Sequence, residues 1–237
     1  MWLHRGNDTG DEHMNPKVGV VTIGQSPRDD VVPEMEAILG PDIDVLQAGA
    51  LDGLTAAQIG ELNPRSGDLI LVSRLNDGSS VKMGEAHILP RIQSCITRLE
   101  AERVELIVLI CTGKFPCQFQ ATKPLIYPQP LLHAVVSKLA SRGRIGVINP
   151  DREQLAQSKA IWAESVPVVE AVAGSPYGDL REVVRAANSL KDKDLDLIVM
   201  DCIGYTGAMK KLVSEITQKP VILPRTFIAR IIGEMLG

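Results

Sequence analysis

The sequence predicts an α/β chain of two pseudo-symmetric, doubly wound parallel-sheet domains, and three observations carry that prediction. The first is an internal echo: Glu105-Leu106-Ile107-Val108-Leu109-Ile110-Cys111-Thr112-Gly113 returns as Asp196-Leu197-Ile198-Val199-Met200-Asp201-Cys202-Ile203-Gly204. The second is a shorter echo of Lys17-Val18-Gly19-Val20-Val21 in Arg144-Ile145-Gly146-Val147-Ile148. The third is the alternation of short aliphatic runs with helix-period segments, which points to parallel strands covered on both faces. In each copy the cysteine falls where a buried strand leaves the core. Ligands of open α/β sheets bind beyond the carboxyl ends of the strands, so two thiols facing one cleft are expected.

Taken in order, Val18 to Ile23 reads as a strand. Ser26 as cap, Pro27 at the first helical position and Asp29 in the first turn predict a helix running through Leu39. Strands follow at Ile43 to Ala48 and Asp68 to Ser73, and Asn76-Asp77-Gly78 predicts a hairpin reaching Lys82. From Pro90 to Glu102, residues Ile92, Cys95, Ile96 and Leu99 share one helical face. The first cysteine strand spans 105–111, and Leu125 to Tyr127 is a short strand. Leu131, Leu132, Val135, Val136 and Leu139 mark an amphipathic helix.

The pattern then restarts. After the strand at 144–148, Asp151 and Gln154 predict a capping box. A strand at Val166 to Val172 precedes a helix capped by Asp179 with Glu182 and carrying Leu180, Val183, Val184, Ala187 and Leu190. The second cysteine strand spans 196–202, followed by a helix from Tyr205 to Thr217, a strand from Val221 to Leu223 and a helix from Thr226 to Leu236. The predicted division is a disordered extension at 1–13, a first domain over 14–129 and a second over 130–217. Residues 218–237 complete the first domain if the closing strand and helix cross back.

Composition narrows the function classes. A chain of 237 residues, 45% of them hydrophobic, can bury a large core. A net charge of -4 with both signs interspersed leaves no basic stripe to follow a phosphate backbone, so nucleic acid is not expected as a partner. The longest run without Asp, Glu, Lys or Arg, Pro124 to Ser137, is broken by prolines and too short to span a bilayer. Residues 1–13 lack the apolar stretch of a secretory signal, and the four cysteines fit reduced thiols in the cytoplasm better than a disulfide framework. A homodimer is left open.

Among the chemistry-bearing residues, Gly24-Gln25-Ser26-Pro27-Arg28 reads either as a plain helix cap or as an anion pocket of free amides and a guanidinium. Arg74 is either a solvated hairpin residue or a clamp for a carboxylate. Tyr205 either packs on the surface or lends its hydroxyl to the cleft. Cys95 belongs to the core, and Asp52 and Asp77 to turns. Cys117 lacks the spacing of a metal or redox site, so no metal is expected. His87 and His133 receive no role.

Thr22-Ile23-Gly24-Gln25-Ser26-Pro27-Arg28, Gly49-Ala50-Leu51-Asp52-Gly53-Leu54, Ser73-Arg74-Leu75-Asn76-Asp77-Gly78 and Cys111-Thr112-Gly113-Lys114-Phe115-Pro116 together resemble the motifs of the AroM family. That family is similar in layout to the aspartate/glutamate racemase superfamily, whose two α/β domains each supply a cysteine to the cleft. The resemblance implies a cofactor-independent enzyme in which Cys111 and Cys202 move a proton at a small carboxylate or other small anion. Beside that pair, the reading of the residues themselves gives expected binding roles to Gly24, Gln25, Ser26, Arg28, Arg74, Thr112, Gly113, Gly204 and Tyr205. Three positions depart from the racemase pattern: Thr112 stands where Asn is common, and Ile203 and Gly204 stand where Thr and then Glu or His are common. Isomerisation, decarboxylation and covalent attack by one cysteine therefore stay open beside racemisation. The rival class is a non-catalytic bilobal protein that binds a small molecule or regulates through it.

Overall fold

In the computed structural model the described residues are 15–115 and 118–237; the expected extension at 1–13 and Cys117 lie outside them. The strands are β1 (Lys17–Thr22), β2 (Asp44–Gly49), β3 (Ile70–Arg74), β4 (Ser80–Gly84), β5 (Leu106–Leu109), β6 (Leu125–Ile126), β7 (Arg144–Asn149), β8 (Val168–Ala173), β9 (Leu197–Met200) and β10 (Val221–Ile222). The helices are α1 (Val32–Leu39), α2 (Ala56–Gly60), α3 (Glu85–Ala101), α4 (Pro128–Leu139), α5 (Leu155–Ala163), α6 (Leu180–Lys191), α7 (Gly207–Thr217) and α8 (Pro224–Leu236).

Two four-stranded parallel sheets follow the two echoes, in orders β2-β1-β5-β6 and β8-β7-β9-β10. Val21 pairs with Leu109 in the first and Ile148 with Met200 in the second, so the halves match residue for residue around their cysteine strands. Alternate side chains of each central strand enter opposite layers. In the first half Val21, Ile107 and Leu109 meet Ile88, Ile92 and Ile96 of α3, while Val18, Val20 and Val108 meet Met35 of α1 and Ile228 and Ile232 of α8. In the second half Val147 and Val199 lie with Leu132 and Val136 of α4 and Trp162 of α5, and Ile148 and Met200 with Val183 of α6 and Val213 of α7.

The halves exchange helices. Helix α4 follows β6 of the first sheet but packs on the second, and α8 follows β10 of the second sheet but packs on the first. The crossing back expected for 218–237 is thus made by the helix alone, because β10 pairs with β9. Burying Ile228 and Ile232 is worth roughly 1.5–3 kcal/mol each, which fastens the halves together. Leu139 and Leu180, expected on the buried faces of their helices, are exposed.

Three local predictions differ from the structure, two of them because longer-range bonds take over. Helix α1 begins at Val32 instead of Pro27, with Val31 as its cap. The Ser26 amide and hydroxyl donate to the Asp52 carboxylate at 2.7 and 2.6 Å, and the Arg28 amide donates to Gln47 Oε1 at 2.8 Å, so this segment is held as a loop by distant side chains. Helix α3 begins at Glu85 and carries Pro90 inside it. The bond lost there would have gone to Ala86, and both residues are exposed, where water serves that carbonyl at little cost. Asp151 does cap the turn that follows it, accepting from the Glu153 amide, but Gln154 completes no box: its Nε2 donates to the Ile70 carbonyl at 2.8 Å.

That last bond fixes the hairpin. Strands β3 and β4 pair antiparallel with each other and turn at Gly78, whose φ of +88° suits glycine. The hairpin reaches across to the second half, where Ile70 donates to Gln157 Oε1 at 2.9 Å and Lys82 meets Asp151 and Glu153 at 2.9 and 3.1 Å. It also lies tight against the loop after β1. A Cβ at Gly24 would stand 2.7 Å from the Arg74 carbonyl and closer still to Ser73 Oγ. Gly24→Ala is therefore expected to lower stability by about 1–3 kcal/mol, read as a lower urea midpoint with an unchanged slope.

Candidate active site

In strand order β2-β1-β5-β6 the chain leaves β1 and β5 in opposite directions, which opens a crevice beyond their carboxyl ends; β7 and β9 repeat the arrangement. Cys111 and Cys202 stand two residues past the ends of β5 and β9. Both line one cavity of about 50 Å³ between the halves, roofed by the hairpin residues Leu69 to Ser73. Each thiol is held alike: the Gly113 amide donates to Cys111 Sγ at 3.3 Å and the Gly204 amide to Cys202 Sγ at 3.4 Å. The Tyr177 hydroxyl adds a contact of 3.7 Å to Cys202 Sγ.

Burial dominates the titration of these groups. It pushes the Cys111 thiol up to about 12, with the Gly113 amide and the Arg28 charge pulling the other way. Burial also raises Cys202, against the Gly204 amide, Tyr177 and Arg28. Asp201, one residue before Cys202, is raised by burial as well, despite hydrogen bonds from Trp162 and Thr112. Trp162 Nε1 donates to Asp201 Oδ2 at 2.7 Å, and its ring stacks on His133 at 3.8 Å. Burial pushes His133 down to about 4, so the imidazole at this wall is neutral near pH 7.

Arg28 is buried, and all five of its N–H groups are spoken for. Nε and NH2 grip the Asp30 carboxylate at 2.7 and 2.9 Å, NH1 donates to Thr22 Oγ1 at 3.0 Å and Ser73 Oγ at 3.3 Å, and NH2 also donates to Tyr177 OH at 3.4 Å. Burial works against the charge on Asp30, but the bond from Arg28 prevails and keeps its pKa below the usual carboxylate range. The guanidinium thus ties the roof to the tyrosine beside Cys202 and lends both thiols a positive potential. It offers no spare fork to a carboxylate in this arrangement.

A family model described as AroM protein matches residues 18–236. The chain belongs to the AroM family. Among curated proteins none matches it by sequence. Among solved structures it is similar to allantoin racemase from Klebsiella pneumoniae, with 14% identity and a TM-score of 0.64 over 93% of this chain and 87% of that one. Maleate isomerase Iso from Pseudomonas putida S16 gives 15% identity and 0.62 over 93% and 92%, and aspartate racemase from Picrophilus torridus 11% and 0.61 over 94% of each. At these identities the likeness is one of fold, and the AroM chain has the two-domain layout of the aspartate/glutamate racemase superfamily.

Of the residues singled out in the AroM sequence, Cys111, Thr112, Gly113, Arg28 and Cys202 meet at the cavity. Gly24, Gln25 and Ser26 instead form the seat of the hairpin: Gln25 Oε1 accepts from the Asn76 amide at 2.8 Å, Ser26 is held by Asp52, and Gly24 makes room for Ser73. The loop amides of Gly24, Ser26 and Arg28 all donate within the chain, so they form no nest for an anion. Arg74 faces away from the cavity because β3 alternates and sends Leu71 and Ser73 inward; its Nε donates to the Gly78 carbonyl. Gly204 acts through its amide on Cys202 Sγ and lies close against Tyr177. Tyr205 is fully buried in the second-half core, donating to the Gly174 carbonyl at 2.7 Å, and the hydroxyl beside Cys202 belongs to Tyr177.

Sequence reasoning also missed Asn149, Gln154, Ser158, Trp162, Asp201 and His133, all on the cavity wall. The shorter echo held one usable signal, since it aligns Asn149 with Thr22 at the end of each central strand. Among the described residues no group of His, Cys, Asp and Glu could hold a metal ion, and no helix is long and apolar enough to cross a membrane.

Proposed function

We propose that this protein catalyses cofactor-independent proton transfer at the carbon beside the carboxylate of a small acid, with Cys111 and Cys202 as base and acid on opposite faces. The observation that carries the reading is that the two thiols reach one cavity from pseudo-equivalent strand ends, each cradled by the amide two residues on. Relatives in fold named as racemases and an isomerase support the same class of chemistry.

One thiolate takes the α-proton and becomes a thiol, leaving the electron pair delocalised into the carboxylate. The facing thiol gives its proton to the other side of the carbon and becomes the thiolate. The product has the inverted configuration, and the charge has moved from one sulfur to the other. The positive charge of Arg28 favours whichever sulfur is ionised, because it lowers the pKa of both.

The test is solvent-derived deuterium entering the α-position of small chiral acids, with configuration followed by circular dichroism. Exchange with inversion supports the reading, and binding without exchange transfers the protein to the sensor class. A pH profile identifies the base. Burial holds both thiols above their ordinary range, so the ionised fraction grows about tenfold per pH unit below that pKa. The exchange rate is accordingly expected to climb close to tenfold per unit between about pH 7 and 9. A flat or falling profile across that window would remove the cysteines from the base role.

A further inference from the structure

Thr22 and Asn149 occupy matching positions, each following the central-strand residue that pairs with the cysteine strand. The first half consumes its copy internally: Thr22 Oγ1 accepts from the Gly24 amide at 3.1 Å and from Arg28 NH1 at 3.0 Å. The second half does not. Asn149 is only 3% exposed, yet its side-chain oxygen has no hydrogen-bond partner among the described residues. Gln154 Oε1 and Ser158 Oγ on the same cavity wall share that condition. The orientation of the Gln154 amide is fixed by its bond from Nε2 to the Ile70 carbonyl, which leaves the oxygen as a committed acceptor.

A buried polar atom without a partner costs free energy, and native chains carry few of them. Three on one wall of a cavity that also holds both thiols point to a ligand that supplies the missing donors. The two cations at the wall are already paired. Arg28 is closed on Asp30, and Lys114 on Glu164 at 2.8 Å, so neither is free to receive a second carboxylate. The three unpartnered atoms are uncharged and each can accept a hydrogen bond, while Asp201 on the same wall already accepts from Trp162 and Thr112.

We infer that Asn149, Gln154 and Ser158 form a subsite for an uncharged hydrogen-bond donor, an amide or ureido N–H, so that the substrate is a small acid with one carboxylate and one such group instead of a dicarboxylate. The inference rests on the reading of this cavity as the substrate site. The donor end then lies toward the second half, and the anionic end is drawn to the Arg28 side by charge alone, since the N–H groups of Arg28 are all bonded within the chain.

Three near-isosteric probes test it on the full chain: malonamate, malonate and monomethyl malonate, carrying a neutral donor, a second anion and a neutral group without a donor. Ligand-observed NMR gives affinity, and deuterium entering the methylene gives chemistry in the same samples. Malonamate is expected to bind at least about tenfold more tightly than either partner, since a site built to accept hydrogen bonds rejects analogues that cannot donate them. Asn149→Leu is expected to bring malonamate down to the level of the ester; should that variant fail to fold, the comparison on the unaltered chain decides alone. Malonate binding as tightly as malonamate, the ester matching the amide, or no binding of any probe at about 20 mM would each overturn the subsite. The readouts separate the two claims: malonamate preferred but never exchanged upholds the subsite and sinks proton transfer, whereas equal affinity and equal exchange for all three does the reverse.

Discussion

Cys111→Ser and Cys202→Ser are each expected to reduce inversion of the substrate by roughly 10²–10⁴-fold, the range lost with a single general acid or base. Serine nearly preserves volume and still accepts the Gly113 or Gly204 amide, so the fold and the loop geometry are retained. What changes is acidity, since the hydroxyl does not ionise at working pH. The two variants should also differ from each other. In Cys202→Ser the remaining thiol still removes and returns a proton on its own face, so one enantiomer exchanges deuterium in place without inverting, and in Cys111→Ser the other enantiomer does. Cys95, on the buried face of α3 and outside the cavity lining, supplies the control: Cys95→Ala should lower stability and leave the exchange rate of the folded protein unchanged. Inversion persisting at the parent rate in either serine variant would end the two-thiol mechanism. Loss of inversion with no enantiomer bias in the residual exchange would point to a single cysteine working with another acid, and Tyr177 beside Cys202 would be the group to examine.

The parts of this architecture that could be read from the sequence are those that depend on repetition. Two copies of an aliphatic run ending in Cys-X-Gly predict two buried strands with thiols at equivalent exits, and the amide-to-sulfur bonds at Gly113 and Gly204 realise that equivalence. The misread residues are those whose surroundings come from far away in the chain. Ser26 and Pro27 carry the local signs of a helix start, but Asp52, held in its own tight turn, claims Ser26 first. Tyr205 is three residues from Cys202 in sequence, yet it turns into the core ahead of α7, while Tyr177 arrives from the loop after β8 with no spacing to announce it. Arg28 looks like an anion clamp until Asp30, two residues on, closes on it in the folded chain. A loop supplies polar side chains in abundance, and only the tertiary fold decides which of them are already paired.

Arg225 is the extreme case, a residue with no sequence signal whose removal should cost more stability than any other single change on the first turn of α8. Its side chain is 1% exposed and spans the joint between the halves: Nε and NH2 donate to the carbonyls of Ile203 and Gly204 at 3.0 and 2.9 Å, and NH1 to the Asp30 carbonyl at 2.9 Å and to Glu34 Oε2 at 2.7 Å. Glu34 Oε1 in turn accepts from the Gly207 amide at the start of α7. Arg225→Met keeps most of the volume but strands a carboxylate and three carbonyls. Breaking a buried pair in this way costs about 3–5 kcal/mol, and because Glu34 is one-third exposed the expected loss is at the lower end, about 3 kcal/mol, measured from the urea midpoint. Arg230→Met on the exposed face of the same helix should change stability by less than about 0.5 kcal/mol. Adding Glu34→Gln to Arg225→Met should recover part of the loss, since it removes the stranded charge. The Ile203 and Gly204 carbonyls belong to the turn that carries Cys202, so the folded fraction of Arg225→Met should also exchange more slowly at saturating substrate. A stability loss near 3 kcal/mol with an unchanged exchange rate would make Arg225 a bolt between domains and nothing more, and a loss in both would make the helix exchanged between the halves part of what aims the second thiol.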